Sequence, residues 1–128
     1  MMHITLYGTP RSKKNSQRII NVGGRPRVIP SAAYLLYSKD CQRQITGDKR
    51  QRINCPVNIK AVYYMDTHRR VDLVNLLEAT CDILTDAGVI DDDNSNIVAA
   101  HDGSRVLYDK ANPRAEITIT MMEEDGNG

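Results

Sequence analysis

At 128 residues the chain suits one domain and not two, and with no Phe or Trp its core must be filled by Ile, Leu, Val and Tyr. No apolar run approaches the ~20 residues of a membrane helix, and the N-terminus lacks a signal peptide's apolar stretch. The odd set Cys41, Cys55 and Cys81 has no CxxC spacing, which excludes a disulfide framework or zinc site and predicts reduced, semi-buried packing residues in a soluble intracellular protein.

Formal charge is +1 overall but unevenly spread: residues 1–70 carry 14 Lys+Arg against 3 Asp+Glu, and residues 71–128 carry 3 against 13. A basic half suits a phosphate backbone. An acidic half suits divalent cations, which prefer carboxylate oxygens. The bland alternative is an ordinary dipolar surface once the halves fold together.

In chain order, His3 to Tyr7 alternates and predicts a first strand, closed by a turn at Gly8-Thr9-Pro10. Arg11 to Gln17 is polar and basic with no period, hence a loop. Arg18–Asn21 and Arg27–Ile29 flank Gly23-Gly24 and predict a hairpin. Ser31 should cap a helix that carries Ala32, Leu35, Leu36 and Cys41 towards Ile45 and ends near Gly47, with Lys39, Arg43, Lys49, Arg50 and Arg52 along its exposed side and exit. Pro56 to Met65 is the best strand, rich in β-branched and aromatic residues. A second helix is expected from Asp72 to Ala87, with Gly88 as its stop. Leu73, Leu76, Leu77, Ile83, Leu84 and Ala87 would share one face, and Asn75, Glu78, Asp82 and Asp86 the opposite one. A turn at Asp102-Gly103 and strands at Arg105–Tyr108 and Ala115–Met121 complete one domain over residues 1–122. Residues 123–128 should form a disordered tail.

The chemistry concentrates in Asp72-Leu-Val-Asn75 and in Asp91-Asp92-Asp93 beyond the same helix. Carboxylate-bound Mg²⁺ could activate a water there and neutralise a leaving oxygen. Equally, Asp72 could be only a cap and the Asp triplet only a solvated turn. A helix of this length spans ~20–25 Å. The two groups therefore meet only if the chain doubles back, or else the acids converge through Asp82, Glu78 or a dimer interface.

The string VDLVNLLEATCDILTDAGVIDDDNSNI (residues 71–97) resembles the signature of RusA-type Holliday-junction resolvases: an Asp entry at Asp72, Asn75-Leu76, Asp82 inside the helix, and Asp92-Asp93 ahead of a polar residue and Ile97. GTPRSKKNSQRI (residues 8–19), the Pro30-Ser31 step and PRAEITI (residues 113–119) resemble phage-type members, so the likeness covers nearly the whole chain. The resemblance implies an α/β (α+β) fold with a small mixed sheet and two main helices, in a homodimer. It implies a cytoplasmic, bacterial or phage-encoded endodeoxyribonuclease that nicks four-way junctions in pairs with Mg²⁺ (or Mn²⁺) in DNA recombination and repair. Metal would fall to Asp72, Asp92 and Asp93, with Glu78 and Asp82 completing the catalytic set.

Two positions depart from the family pattern. Val74 stands where many members carry a second acid, and Glu78 where better-known members carry a lysine. Glu78 would supply the missing carboxylate one turn on. Otherwise the chain is a junction-binding protein that has lost cleavage. Lys13, Lys14, Arg18, Arg69 and Arg70 are the expected DNA contacts. A third alternative is a basic module with no structural preference in nucleic acid. His3, His68 and His101 share no ligand spacing, and Tyr34, Tyr37, Tyr63 and Tyr64 are expected in the core or an interface.

Overall fold

The structure is a computed structural model that describes residues 1–13 and 17–122, the side chains of Gln17, Arg18 and Pro30 excepted. Strands β1 (Met2–Tyr7), β7 (Arg114–Met121) and β4 (Val57–Met65) lie side by side and antiparallel. β5 (Val98–Ala100) and β6 (Arg105–Tyr108) both run parallel to β4 on its other edge. β2 (Gln17–Val22) and β3 (Arg25–Pro30) form a two-stranded sheet of their own. Its two-residue turn has Gly23 and Gly24 at φ 59° and 78°, the left-handed pair that a twisted hairpin needs and glycine supplies without strain.

One face of the larger sheet is buried. Met2, Ile4 and Leu6 of β1, Ile59, Ala61 and Tyr63 of β4, and Ala115, Ile117 and Ile119 of β7 point into it at period two. Helices α1 (Ala32–Gln44) and α2 (Leu73–Asp86) contribute to the same core cluster. Inside it the Tyr63 hydroxyl lies 2.6 Å from Thr80 Oγ1. The Thr80 proton goes to Leu76 O at 2.9 Å, so Tyr63 is the donor.

Both helices begin at their expected caps. Ser31 Oγ accepts from Tyr34 N at 3.2 Å, and Asp72 Oδ1 accepts from Val74 N at 2.9 Å. Gly88, at φ 76°, ends α2 as expected. The buried face of α1 corrects the expectation: Leu35 and Leu36 are 46% and 66% exposed, while Tyr34, Tyr37 and Cys41 are buried. Spacing i, i+3, i+7 is equally helical, and the two tyrosine rings bring the larger apolar area to the core. Cys55 also departs from its expected packing role, being exposed with its Sγ 3.2 Å from Met121 Sδ; all three cysteines are free.

Arg50, expected among the exposed basic residues, joins the two helix ends. Its guanidinium donates to Gln42 O and Ala87 O at 2.8 Å and to Ile45 O at 3.1 Å. Last-turn carbonyls lack intrahelical donors, and the cation also complements both helix dipoles.

Candidate active site

After α2 the chain doubles back fully. Arg52 N donates to Gly88 O at 2.9 Å, Ile53 N to Val89 O at 3.0 Å and Asp91 N to Ile53 O at 2.9 Å, which pins the exit of α2 to the segment ahead of β4. From there the loop returns along the helix into β5. Asp92 folds its start: Oδ1 accepts from Asp93 N at 2.7 Å and Oδ2 from Asn94 Nδ2 at 3.0 Å. These donors hold the Asp92 carboxyl below the usual carboxylate range.

The return delivers Asp93 to the middle of α2. Asp93, Glu78, Val74, Cys81 and His101 line one open cleft of about 370 Å³. Partial burial and the neighbouring Asp92 and Asp82 carboxylates raise the Asp93 carboxyl above its ordinary value. Burial, then Asp93 and Asp82, push the Cys81 thiol up to about 12, so it stays protonated at neutral pH.

The acidic face of α2 is as expected, and the base it lacks in sequence comes from outside the helix. Lys13 Nζ, from the loop after β1, lies 2.8 Å from Asp82 Oδ2. Lys13, an expected DNA contact, is therefore engaged with an acid of the site. Asp72, exposed at the N-terminus of α2, is committed to its cap. Val74, 68% exposed, puts an apolar surface on the cleft at the position where the sequence resemblance leads one to expect an acid.

A second open hollow, of about 550 Å³, lies between the loop after β1 and the segment joining β4 to α2, and Arg11, Arg69 and Arg70 line it. Arg11 is not marked by the sequence, because it begins a loop with no period. Of the remaining expected contacts, Lys14 lies outside the described residues and so does the side chain of Arg18. Beside this hollow the His68 and Tyr108 rings stack, centroids 3.8 Å apart.

His101 is likewise unmarked by its sequence. Its Nδ1 lies 2.8 Å from Ile59 O, and its Nε2 lies 3.9 Å from Cys81 Sγ at the cleft. No local pattern signals it, because parallel pairing of β5 with β4 brings it there.

The acids thus converge on Glu78 and Asp93, with Asp82 beside them and Asp72 one helical end away. Among the described residues no three His, Cys, Asp or Glu side chains stand close enough together to hold a metal ion. Two carboxylates still fit a hydrated Mg²⁺, which keeps several waters and takes one or two protein carboxylates plus substrate phosphates. A zinc-type closed cage would not fit.

The family model for endodeoxyribonuclease RusA matches residues 8–120. The chain belongs to the RusA endodeoxyribonuclease family, and its α+β fold with two helices and a mixed sheet is the one expected. Membership implies endodeoxyribonuclease activity on branched DNA, in a family whose nucleases are generally divalent-metal dependent. No curated protein matches the chain. Among the described residues no helix is long and apolar enough to cross a membrane.

Proposed function

We propose that this protein resolves Holliday junctions or related branched DNA by Mg²⁺-dependent paired nicking, as a cytoplasmic homodimer. The observation that carries the reading is the return of Asp93 to the cleft lined by Glu78. Asp93 and Glu78 would hold the ion, with Asp82, neutralised by Lys13, outside them. Asp92 orders the loop that presents Asp93; Asp92 and Asp72, the other ligands the resemblance implies, lie outside that cleft. Bound Mg²⁺ (or Mn²⁺) would neutralise the scissile phosphate and make its water acidic. Arg11, Arg69 and Arg70 would seat neighbouring phosphates and so fix the register of the strand.

Two-fold pairing suits a substrate with two equivalent strands to cut. It is supported by apolar side chains left in solvent on the hairpin and α1: Ile19, Val28 and Leu36 are 72%, 61% and 66% exposed.

The test is a labelled synthetic four-way junction incubated with Mg²⁺ or EDTA, alongside Asp93→Asn and Asp72→Asn. Paired nicks that need Mg²⁺ and vanish in Asp93→Asn are expected. A second reading, a junction-binding protein without cleavage, is favoured by the exposed Val74 in the cleft. Tight, junction-selective binding with no nicks in Mg²⁺ or Mn²⁺ would select it.

A further inference from the structure

We infer that the stacked rings of His68 and Tyr108 form a platform for an unstacked nucleobase at the branch point of the DNA, and that this platform lets the protein tell a junction from plain duplex. The inference rests on the junction-directed reading above and deepens it.

The fold builds the pair from two elements. β6 runs parallel to β4 in register, with Tyr63 against Val106 and Met65 against Tyr108. Partners in a ladder project to the same face of a sheet, so Tyr108 shares the face of Met65, which lines the arginine hollow. Asp109 N donates to Met65 O at 2.9 Å and closes the ladder there. β4 ends at the same level, and its exit carries Thr67, His68, Arg69 and Arg70. Thr67 Oγ1 accepts from Arg69 N at 3.3 Å, a local turn that bends the segment. The His68 ring lies flat on that of Tyr108, with centroids 3.8 Å and planes 25° apart.

Exposure argues that this pair is more than packing. Tyrosines that serve the core are buried, as Tyr34, Tyr37 and Tyr63 are. Tyr108 is 43% exposed, His68 is exposed too, and all four residues of β6 lie in solvent. Stacking face to face instead of edge-on leaves a flat π surface at the end of the pair. Among the described residues no side-chain hydrogen bond or ion pair engages either ring.

Charge names the ligand. Arg69 follows His68 directly, their Cα atoms about 3.8 Å apart, and Arg69, Arg70 and Arg11 line the hollow beside the pair. Cations that track a phosphate backbone next to rings that stack bases are how proteins hold unpaired nucleic acid. Inside a duplex each base face is covered by the next base pair, whereas a branch point uncovers one. The arginines attract any phosphate backbone alike, so discrimination falls to the rings.

The test uses the full chain in EDTA, so cutting plays no part. Dissociation constants are measured for a synthetic four-way junction and for linear duplex of the same length. Tyr108→Ala and His68→Ala should each weaken junction binding by at least about fivefold, the lower end of what one base stack supplies. Duplex binding should stay within twofold, the salt dependence should be unchanged, and Tyr108→Phe should behave as the parent. A 5-iodouracil at the branch point should photocrosslink to His68 or Tyr108, and the same base in mid-arm should not. Junction preference that survives both alanine variants, equal weakening on junction and duplex, or equal crosslinking from mid-arm overturns the platform and leaves the junction-directed reading standing. A parent protein that binds junction and duplex equally overturns that reading and this inference with it.

Discussion

Replacing Val74 by Asp returns an acid to the cleft at a position where the fold tolerates it. Val74 is 68% exposed, so little packing is lost. It lies in the first turn of α2, which has no acidic residue there. A carboxylate near the helix N-terminus gains about 0.3–1 kcal/mol from the dipole, and repulsion from Glu78 four residues on costs a few tenths of a kcal/mol. Without metal the variant should therefore be about as stable as the parent. With Mg²⁺ the balance changes. One more carboxylate about 5 Å from a dication contributes on the order of 1–2 kcal/mol even at the dielectric of water, which is roughly tenfold in Kd. At saturating Mg²⁺ that is about 1.4 kcal/mol more ligand stabilisation, a rise of roughly 5 °C in the Mg²⁺-induced Tm shift for a domain of this size. Calorimetric Mg²⁺ titration and paired thermal melts, with Val74→Asn as the uncharged control, measure both quantities. If Val74→Asp folds and its Mg²⁺ affinity stays within twofold of the parent, the cleft of Glu78 and Asp93 is not the metal site.

Other perturbations probe separate parts of the molecule. Asp93 has its folded pKa raised, so its ionised form opposes folding, and the penalty fades as pH falls through that pKa. Asp93→Asn should therefore raise Tm at neutral pH, with a gain that shrinks towards acid pH; a constant gain would contradict it. Asp92 is shifted down, so its contribution is present above the unfolded carboxylate pKa and is lost on acidification, and Asp92→Asn should show the opposite trend. Arg11→Ala and Arg70→Ala should each weaken junction binding and lower the log K against log salt slope by about 0.9 for every phosphate the arginine had neutralised; an unchanged slope would remove that arginine from the DNA path. Arg50→Ala removes a donor from three carbonyls, of which Gln42 O keeps Ile45 N, and should cost about 1–3 kcal/mol in urea unfolding, whereas a loss below a few tenths would show that water replaces the guanidinium.

The local rules carried the elements. Ser31 and Asp72 cap helices, Gly88 stops one and Gly23-Gly24 turns a hairpin, because each is a short-range hydrogen bond or dihedral requirement written in a few neighbouring residues. Alternation predicts β1, β4 and β7 with their buried faces. The face of α1 differs from expectation because Leu35-Leu36 and Tyr34-Tyr37 are two apolar stripes on one helix, and only the sheet beneath it chooses between them. The three-residue strand β5 is too short to show a period.

For the site, the sequence alone determined the acid-rich face of α2, the Asp triplet and the arginines ahead of Asp72, since residue type and helical spacing suffice for those. It also determined the family, through a motif contiguous over residues 71–97. The tertiary structure decided which acids share a cleft. Asp93 is fifteen residues from Glu78 along the chain, and only the pinning of Asp91 to Ile53 and the parallel docking of β5 bring them to one place. It likewise decided that Lys13 meets Asp82, that Arg50 holds two helix ends, and that His101 turns into the cleft. Each of those interactions joins groups that no short sequence window contains together. Their energies reward chain closure after the sheet has formed, and no local pattern encodes such closure.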